Sequence, residues 1–322
     1  MMHHPFVLKA PRRNPAAEPL ECRIAPAFLF NIAGATATIS DSGDAVNHTV
    51  VIDDNAGALR VTVDAVALVP TGDPTLAGIT TIAFTHTAGA AGHDTVNVDP
   101  SNLSAALDGK TYTFNASGGA SADSFNAATI GVGPVTFTGG TGPDLFFSGG
   151  GVTTATGGGG ADTLTAANTN NTWSITGAGT GTIANSGNAN LVSFSGISNL
   201  VGGTGTDAFA LSGGTLTGSI NGGTGTDTLT GDNVVNTWTI TSLNGGTVTG
   251  VTGGFSGIEN LTGGTNTDTF TFTNAGSLTG ALNGGAGGNS LTGDDDGNAF
   301  VTTAANSGTL AGKTSGWSNI QV

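Results

Sequence analysis

The sequence is poor in charge, in aromatic side chains and in cysteine. Of its 322 residues, 9% are charged, 6% are aromatic and one, Cys22, is a cysteine. A single cysteine excludes an internal disulfide framework, and no apolar run reaches the ~18 residues that a membrane-spanning helix needs. Basic residues are scarcest, with 7 Lys and Arg against 22 Asp and Glu. The resulting net charge of −15 makes nucleic acid an implausible partner.

Glycine, by contrast, is abundant, with 56 residues, and it recurs in a fixed motif. Residues 222–230 read G-G-T-G-T-D-T-L-T, which fits the nonapeptide G-G-x-G-x-D-x-U-x, where U is a large apolar residue. The paired glycines permit positive φ and a tight turn. The Asp supplies an anionic oxygen, and the alternating T-L-T predicts a short strand with one residue facing inward.

The motif recurs along the chain. Complete copies occupy residues 139–147, 157–165 and 202–210, degenerate copies begin at Gly263 and Gly284, and a fainter copy ends at Asp123. Its Asp (or Asn) positions are 18, 20 and 21 residues apart within successive pairs. This spacing predicts an all-β fold, a parallel β-helix or solenoid of ~20-residue rungs, with right-handed winding as the default. The positions predicted to face inward are Leu145, Leu164, Phe209, Leu229, Phe270 and Leu291.

A longer period overlies the rungs. The segment F-S-G-I-S-N-L at 194–200 returns as F-S-G-I-E-N-L at 255–261 and as W-S-N-I-Q-V at 317–322. The superrepeat is 61 to 65 residues long and is interpreted as three rungs, one of which lacks the turn motif. Trp173, Trp238 and Phe300 share a position in it and are predicted to be core or a lateral aromatic stack. All the motif Asp residues are predicted to lie along one edge of the solenoid.

The N-terminal part of the chain has a different character. Four of the seven basic residues precede an apolar run at 24–37, which is the layout of an export signal, and a disordered start followed by a first strand is the alternative. Residues 20–27, L-E-C-R-I-A-P-A, resemble the L-E-P-R-type segment near the start of large exported proteins of planctomycetes and related bacteria, with Cys22 in place of Pro. The predicted organisation is an export or disordered segment (1–38), an antiparallel β cap (39–79), divergent rungs (80–138, with a short helical turn at 102–107) and the regular solenoid (139–322).

The nonapeptides resemble those of the haemolysin-type calcium β-roll. In that family, carbonyls and Asp carboxylates from two stacked turns enclose each Ca²⁺. The resemblance implies metal ligands at Asp144, Asp162, Asp207 and Asp227, together with the turn carbonyls of Gly139, Gly157, Gly202 and Gly222. The chain departs from the family because its nonapeptides are not in tandem, and residues 148–156 lack the Asp. The alternative is that Asp and Gly only build turns, and the same applies to the acidic run at 294–296.

The scarcity of basic and imidazole groups bears on catalysis. Lyases with parallel β-helix folds rely on Lys or Arg, but from Val61 onward the only basic residues are Lys110 and Lys313 and the only histidines are His86 and His93. The chain is therefore interpreted as not an enzyme, although a hydrolase built on two Asp carboxylates stays open.

The repeats resemble those of large bacterial adhesins and haemagglutinin-like proteins. The resemblance implies an exported structural or adhesive protein of the cell surface or extracellular matrix, with surface glycans or other matrix proteins as partners. Carbohydrate-binding or carbohydrate-degrading β-helix proteins are one alternative, and T-x-T pairs such as Thr228 and Thr230 raise ice binding as another. The third superrepeat stops at W-S-N-I-Q-V, so an open last rung is predicted, with head-to-tail self-association as one outcome.

Overall fold

The computed structural model describes residues 28–41, 46–55, 57–68, 70, 75–86, 92–98, 109–117, 119–131, 133–185 and 191–321. Most of the predicted export segment and the predicted helical turn at 102–107 lie outside these ranges. Within them, no helix is long and apolar enough to cross a membrane.

The described residues form 30 strands and a 3₁₀ turn at Leu76–Gly78. The strands of the first half are β1 Phe28–Ala33, β2 Thr36–Asp41, β3 Thr49–Asn55, β4 Ala58–Val63, β5 Val66–Ala67, β6 Thr81–Thr85, β7 Thr95–Val98, β8 Thr111–Asn115, β9 Ser124–Asn126, β10 Val135–Thr138, β11 Leu145–Phe147, β12 Val152–Thr156 and β13 Thr163–Thr165. Those of the second half are β14 Asn171–Gly177, β15 Thr180–Asn185, β16 Leu191–Ser195, β17 Asn199–Val201, β18 Ala208–Leu211, β19 Ile220–Asn221, β20 Thr228–Thr230, β21 Thr237–Ser242, β22 Gly245–Val248, β23 Val251–Ser256, β24 Asn260–Thr262, β25 Thr269–Phe272, β26 Ala281–Asn283, β27 Ser290–Thr292, β28 Phe300–Ala304, β29 Ser307–Leu310 and β30 Thr314–Ser318.

The strands build two long sheets, sheet A with 16 strands and sheet B with 14. Along the chain, single strands alternate between the sheets, and within each sheet they pair in parallel with the strand one coil away. The predicted parallel β-solenoid is thereby confirmed. Regular coils take 18 residues between Thr163 and its partner Leu145, and 20 between Thr228 and its partner Ala208. The hand of winding stays a prediction.

The core lies between the two sheets and is filled by one side chain from each short strand. Leu164, Phe209, Leu229, Phe270 and Leu291 are buried, as predicted. The prediction for Leu145 is wrong, because its side chain is 41% exposed and the next residue, Phe146, is the buried one. The inward residue is the second after the Asp in every coil, and the apolar run L-F-F at 145–147 hid that alternation.

Aromatic rings replace aliphatic side chains in the core of the earlier coils. The centroid of Phe125 lies 5.7 Å from that of Phe84 and 5.6 Å from that of Phe114. Phe137 continues the column, 5.5 Å from Phe114 and 5.3 Å from Phe146. These separations are typical of favourable aromatic pairs, so the divergent segment carries the same solenoid core as the regular repeats.

The superrepeat contains an unpredicted element, a three-stranded antiparallel meander that lies within one sheet. The meanders are β14–β15–β16, β21–β22–β23 and β28–β29–β30. In each, the last strand pairs with the preceding coil, and in the first two the first strand pairs with the following coil. The prediction of three rungs per superrepeat is therefore wrong, because the segment without the turn motif folds back on itself instead of circling the solenoid.

The meanders alternate between the sheets, the first and third in sheet A and the second in sheet B. One superrepeat contains five segments, namely a meander and four single strands, each in the opposite sheet to the one before. Because five is odd, each superrepeat begins on the opposite sheet from the one before. Equivalent residues of successive superrepeats therefore lie in opposite sheets, about two and a half coils apart along the solenoid.

The repeated F-S-G-I segment has a local conformational reason. It closes each meander, and its third residue, Gly196 or Gly257, has a φ of 65° or 60°. In the third copy Asn319 has a φ of 57°, which Asn adopts more readily than most residues. The following isoleucines, Ile197, Ile258 and Ile320, are all buried.

Trp173 and Trp238 are core residues, each in the first strand of a meander and fully buried. Trp173 stacks on Phe209 at 5.1 Å, and Trp238 stacks on Phe270 at 5.5 Å. Phe300 shares their register but lies on β28, the edge strand of sheet A, and is 37% exposed. The shared environment predicted for the three residues is therefore confirmed only for the two tryptophans.

Antiparallel pairing is present near the N-terminus, but it begins before the predicted cap (39–79), because β1 and half of β2 lie within the segment predicted as export or disordered (1–38). Strand β1 pairs antiparallel with β2, and β3, β4 and β5 form an antiparallel meander. Strands β2 and β3 then pair in parallel with β6 and β7. Thus β1 lies at one edge of sheet A and β5 at the corresponding edge of sheet B.

Candidate functional site

The motif Asp residues form three stacks along the edges of the solenoid, which we call aspartate ladders. The first ladder precedes strands of sheet B, the second precedes strands of sheet A and the third precedes strands of sheet B again. Their members are Asp94, Asp123, Asp144 and Asp162; Asn171, Asp207, Asp227 and Glu259; and Asn236, Asp268 and Asn289. The prediction of a single edge is therefore wrong, because the meanders move each new superrepeat to the opposite sheet.

Within a ladder, one oxygen of each side chain after the first accepts the backbone N–H of the equivalent residue in the preceding coil. The N–H of Asp144 donates to Asp162 Oδ1 at 2.8 Å, and that of Asp207 donates to Asp227 Oδ1 at 2.8 Å. The N–H of Asp227 donates to Glu259 Oε2 at 2.7 Å. A buried N–H needs such a partner, so the motif Asp links adjacent coils at the turn.

The second oxygen explains the glycines of the motif. Asp144 Oδ2 accepts the N–H of Gly140 at 2.8 Å, whereas the Oδ2 atoms of Asp162, Asp207 and Asp227 are buried without a hydrogen-bond partner. A Cβ on the first glycine of each turn would overlap that carboxylate and a backbone carbonyl of the neighbouring coil. These glycines are Gly139, Gly157, Gly202 and Gly222.

The structure thus brings together the predicted metal ligands in pairs, Asp144 with Asp162 and Asp207 with Asp227. One oxygen of each of these carboxylates already binds a backbone N–H. The bare Oδ2 atoms of Asp162, Asp207 and Asp227 are the ones that could face a cation. Calcium binding at these pairs stays a prediction.

Burial raises the pKa of the four ladder carboxyls that were predicted as metal ligands. It raises the pKa of Asp144 and of Asp227 to about 6, while the N–H donors of the preceding coil oppose the shift. The pKa values of Asp162 and Asp207 are raised by burial as well. The folded state therefore binds protons at these positions more tightly than the unfolded chain does, whose Asp pKa is near 3.8.

This difference predicts an inverted pH dependence of stability. A raised folded-state pKa contributes stability that is fully present below about pH 4 and is lost as the pH rises through about 6. We expect thermal unfolding in chelator-containing buffer to give a higher Tm at pH 4.5 than at pH 7. An ordinary acid-labile protein would show the opposite.

Asp227→Asn isolates one ladder position. Asn289 already occupies an equivalent place, where its Oδ1 accepts the N–H of Asp268 at 2.8 Å and its Nδ2 donates to the carbonyl of Asn319 at 3.0 Å. The variant should gain on the order of 1 kcal/mol at pH 7 and show a shallower pH slope. Asp295→Asn, at an exposed position, is the charge-matched control. Equal pH slopes for the two variants would contradict the assignment.

A second cluster lies beside the first ladder, in the earliest coils. His86 follows β6, its side chain is fully buried, and neither ring nitrogen has a hydrogen-bond partner. Its Nδ1 lies 3.4 Å from Asp94 Oδ2 and 3.5 Å from Asp123 Oδ2. Its Nε2 faces Asp41 Oδ2 at 4.0 Å. We call these four residues the His86 cluster.

Hydrogen bonds of the first ladder hold the carboxylate of Asp123 and the backbone of Asp94 beside His86. The N–H of Asp94 donates to Asp123 Oδ1 at 2.9 Å, and the N–H of Asp123 donates to Asp144 Oδ1 at 2.8 Å. The Oδ2 atoms of Asp94 and Asp123, which face His86, have no hydrogen-bond partner. Burial, reinforced by the charge of Asp41, raises the pKa of Asp94 to about 7.

Sequence reasoning missed the His86 cluster because its residues are far apart and its turns are divergent. The sequence does contain a signal for two of them, because D-T-V-N-V at 94–98 and D-S-F-N at 123–126 share the pattern of D-T-L-T at 162–165. Aligning them places Asp94 and Asp123 in the first ladder. The contact with His86 depends on the loop that follows β6, which no repeat predicts.

The basic side chains of the described coils are engaged in the fold. Lys313 forms a salt bridge with Asp294, which lowers the pKa of that carboxyl, and donates to the carbonyl of Asn274 at 2.9 Å. Arg60 Nε donates to Asp53 Oδ1 at 2.8 Å, and Lys110 Nζ donates to the carbonyl of Ile79. Asp294, from the acidic run, thus has a structural partner.

Fold and site together define a parallel two-sheet β-solenoid with ladder-linked coils. No protein-family model, curated protein or solved structure matches the chain. The functional inference therefore comes from the geometry and the sequence patterns.

Proposed function

We propose that the chain is an exported structural or adhesive protein of the cell surface or extracellular matrix. The observation that carries the proposal is the continuous core, which includes buried side chains from Phe28 to Ile320 between two sheets. A 16-stranded sheet with strands ~4.8 Å apart is about 70 Å long. Such a fold suits an extended spacer or display surface.

The engagement of polar groups supports a structural role. The ladder carboxylates accept backbone N–H groups, and Lys313 and Arg60 pair with acidic side chains. The acidic surface, with a net charge of −15 over the chain, favours solubility outside the cell. Surface glycans and other matrix proteins are the proposed partners.

Head-to-tail self-association is a further part of the proposal. The edge strand β28 carries the exposed apolar side chains Phe300 and Val301, and an open edge strand invites pairing with another chain. Light scattering on the purified chain across a concentration series would detect such association. A constant monomer mass would contradict it.

A carbohydrate-binding function is the second candidate, favoured by an open groove of about 370 Å³ beside the second meander. Its lining residues are Thr215, Leu216, Thr217, Val248, Gly250, Val251 and Thr252. Threonine hydroxyls beside apolar surface suit a sugar ring, but the lining includes neither a carboxylate pair nor an aromatic platform. A glycan that binds here without being cleaved is the chemistry this groove fits.

The test of the proposed function has two measurements. Residues 1–38 fused to a phosphatase that is active only outside the cytoplasm should give activity, whereas a fusion beginning at residue 39 should not. Beads coated with the full chain should be retained on matrix polysaccharide or on bacterial cells more than albumin-coated beads. An inactive phosphatase in the 1–38 fusion, together with bead retention equal to that of albumin-coated beads, would overturn the proposal.

A further inference from the structure

The His86 cluster combines features that a purely structural core would avoid. A buried imidazole lacks a hydrogen-bond partner on both nitrogens, and two carboxylate oxygens facing it also lack partners. Leaving such groups unpaired in the interior costs free energy. Three carboxylates around one imidazole also bring more negative than positive charge into a buried space.

Two distances within the cluster match those between ligands of one shared metal ion. Ligands placed 2.0–2.1 Å from a tetrahedral Zn²⁺ lie about 3.3 Å from each other. His86 Nδ1 lies 3.4 Å from Asp94 Oδ2 and 3.5 Å from Asp123 Oδ2. The same separations exceed those of a good N–H···O hydrogen bond.

Asp41 completes the arrangement from the other side of the ring. Its Oδ2 lies 4.0 Å from His86 Nε2, where a carboxylate can orient a metal-bound imidazole. Asp41, His86 and Asp94 also bring one ligand atom each to within 4.8 Å of one another, so Asp41 is close enough to act as a ligand itself.

We propose that His86, Asp94 and Asp123 form a binding site for a divalent transition-metal ion of the Zn²⁺ type, supported by Asp41. One imidazole nitrogen with two carboxylate oxygens suits Zn²⁺ or Co²⁺, whereas Ca²⁺ prefers oxygen ligands alone. The ion would join the turn between β6 and β7 to the turn before β9 and so fasten two adjacent coils near the N-terminal end of the solenoid, while Asp41 at the end of β2 belongs to the coil before them. Its role is to stabilise these coils.

Co²⁺ is the probe, because its visible absorption reports coordination geometry. The reference protein is the full chain with His3→Gln and His4→Gln, which removes an adjacent histidine pair that could bind metal on its own. We expect one Co²⁺ per chain, displaced by Zn²⁺ but not by Ca²⁺, and a Tm that rises on metal addition. His86→Gln should bind Co²⁺ at least 100-fold more weakly.

His48→Gln is the matched control. His48 lies in the same early coils but pairs with Asp64 at 2.7 Å instead of joining the His86 cluster. This variant should keep the affinity of the reference protein. Binding that is absent, that is unchanged by His86→Gln or that is displaced equally by Ca²⁺ would overturn the proposal.

X-ray absorption of the Zn²⁺-loaded reference protein keeps the test decisive if His86→Gln fails to fold. A first shell with one imidazole and oxygen ligands would support the site. A shell without imidazole, or one containing sulfur from Cys22, would refute it.

Discussion

Trp238→Ala is expected to lower the free energy of unfolding of its coils by about 3–5 kcal/mol. Trp238 is fully buried, stacks on Phe270 at 5.5 Å and makes an edge contact with Phe255 at 6.0 Å. Removing the indole leaves a cavity between neighbouring coils, which a regular stack of strands cannot collapse to fill.

Phe300→Ala is the matched control, because Phe300 has the same register in the third meander. It lies on an edge strand and is 37% exposed, so the substitution should cost well under half as much. Because each coil contacts mainly its neighbours, loss of protection in Trp238→Ala should centre on β21 and β25. Hydrogen exchange resolved by peptide measures this directly. Uniform loss along the whole chain, or equal costs for the two variants, would contradict the solenoid packing.

Gly225→Ala is expected to be as disruptive, for a backbone reason. Gly225 has a φ of 142°, and a Cβ there would fall on the carbonyl oxygen of Gly205 in the adjacent coil. The obstacle is backbone, so the two turns must separate and the hydrogen bond from the N–H of Gly205 to the carbonyl of Thr224 should be lost. Overpacking of this kind costs about 1–3 kcal/mol or more, in addition to the strain at φ.

Gly213→Ala separates the two contributions. Gly213 also has a positive φ, 86°, but no atom lies within 4 Å of a Cβ built there. Its substitution should cost only about 1–2 kcal/mol from conformational strain. Thermal unfolding of both variants in parallel gives the comparison. Similar Tm values for the two variants would show that the stacked turns are less close than described.

The sequence predicted the parallel solenoid because its repeats are chemically explicit. An Asp followed two residues later by an apolar residue places an acceptor at the turn and a side chain in the core of every coil, as Asp227 and Leu229 show. The same rule assigns the inward-facing position to Phe146 and not to Leu145. The repeats do not determine whether the residues between two turns circle the solenoid or fold back within one sheet.

The meanders could not be predicted from the turn motif, because a strand that folds back within a sheet has the same alternation as one that circles the solenoid. Ile183 in β15 is buried in the same way as Leu164 in a single strand. The hairpin turn at Gly179, with a φ of 59°, is the local signal. The His86 cluster escaped prediction for a different reason, since burial of a histidine depends on the packing of coils that share little sequence.

Successive superrepeats place their aspartate ladders on opposite edges of the solenoid, and spin labels on exposed turn threonines test this arrangement most directly. Thr206, Thr226 and Thr267 are exposed and each precedes a ladder Asp. In a Cys22→Ser background, labels at 206 and 226 should lie one coil apart, about 5 Å between Cα atoms, and broaden the electron paramagnetic resonance spectrum strongly. Labels at 226 and 267 should show far weaker coupling, because they lie on opposite edges. Strong broadening for both pairs, as expected if every ladder lay along one edge and residues 226 and 267 were two coils (~10 Å) apart, would contradict the alternation of the superrepeats.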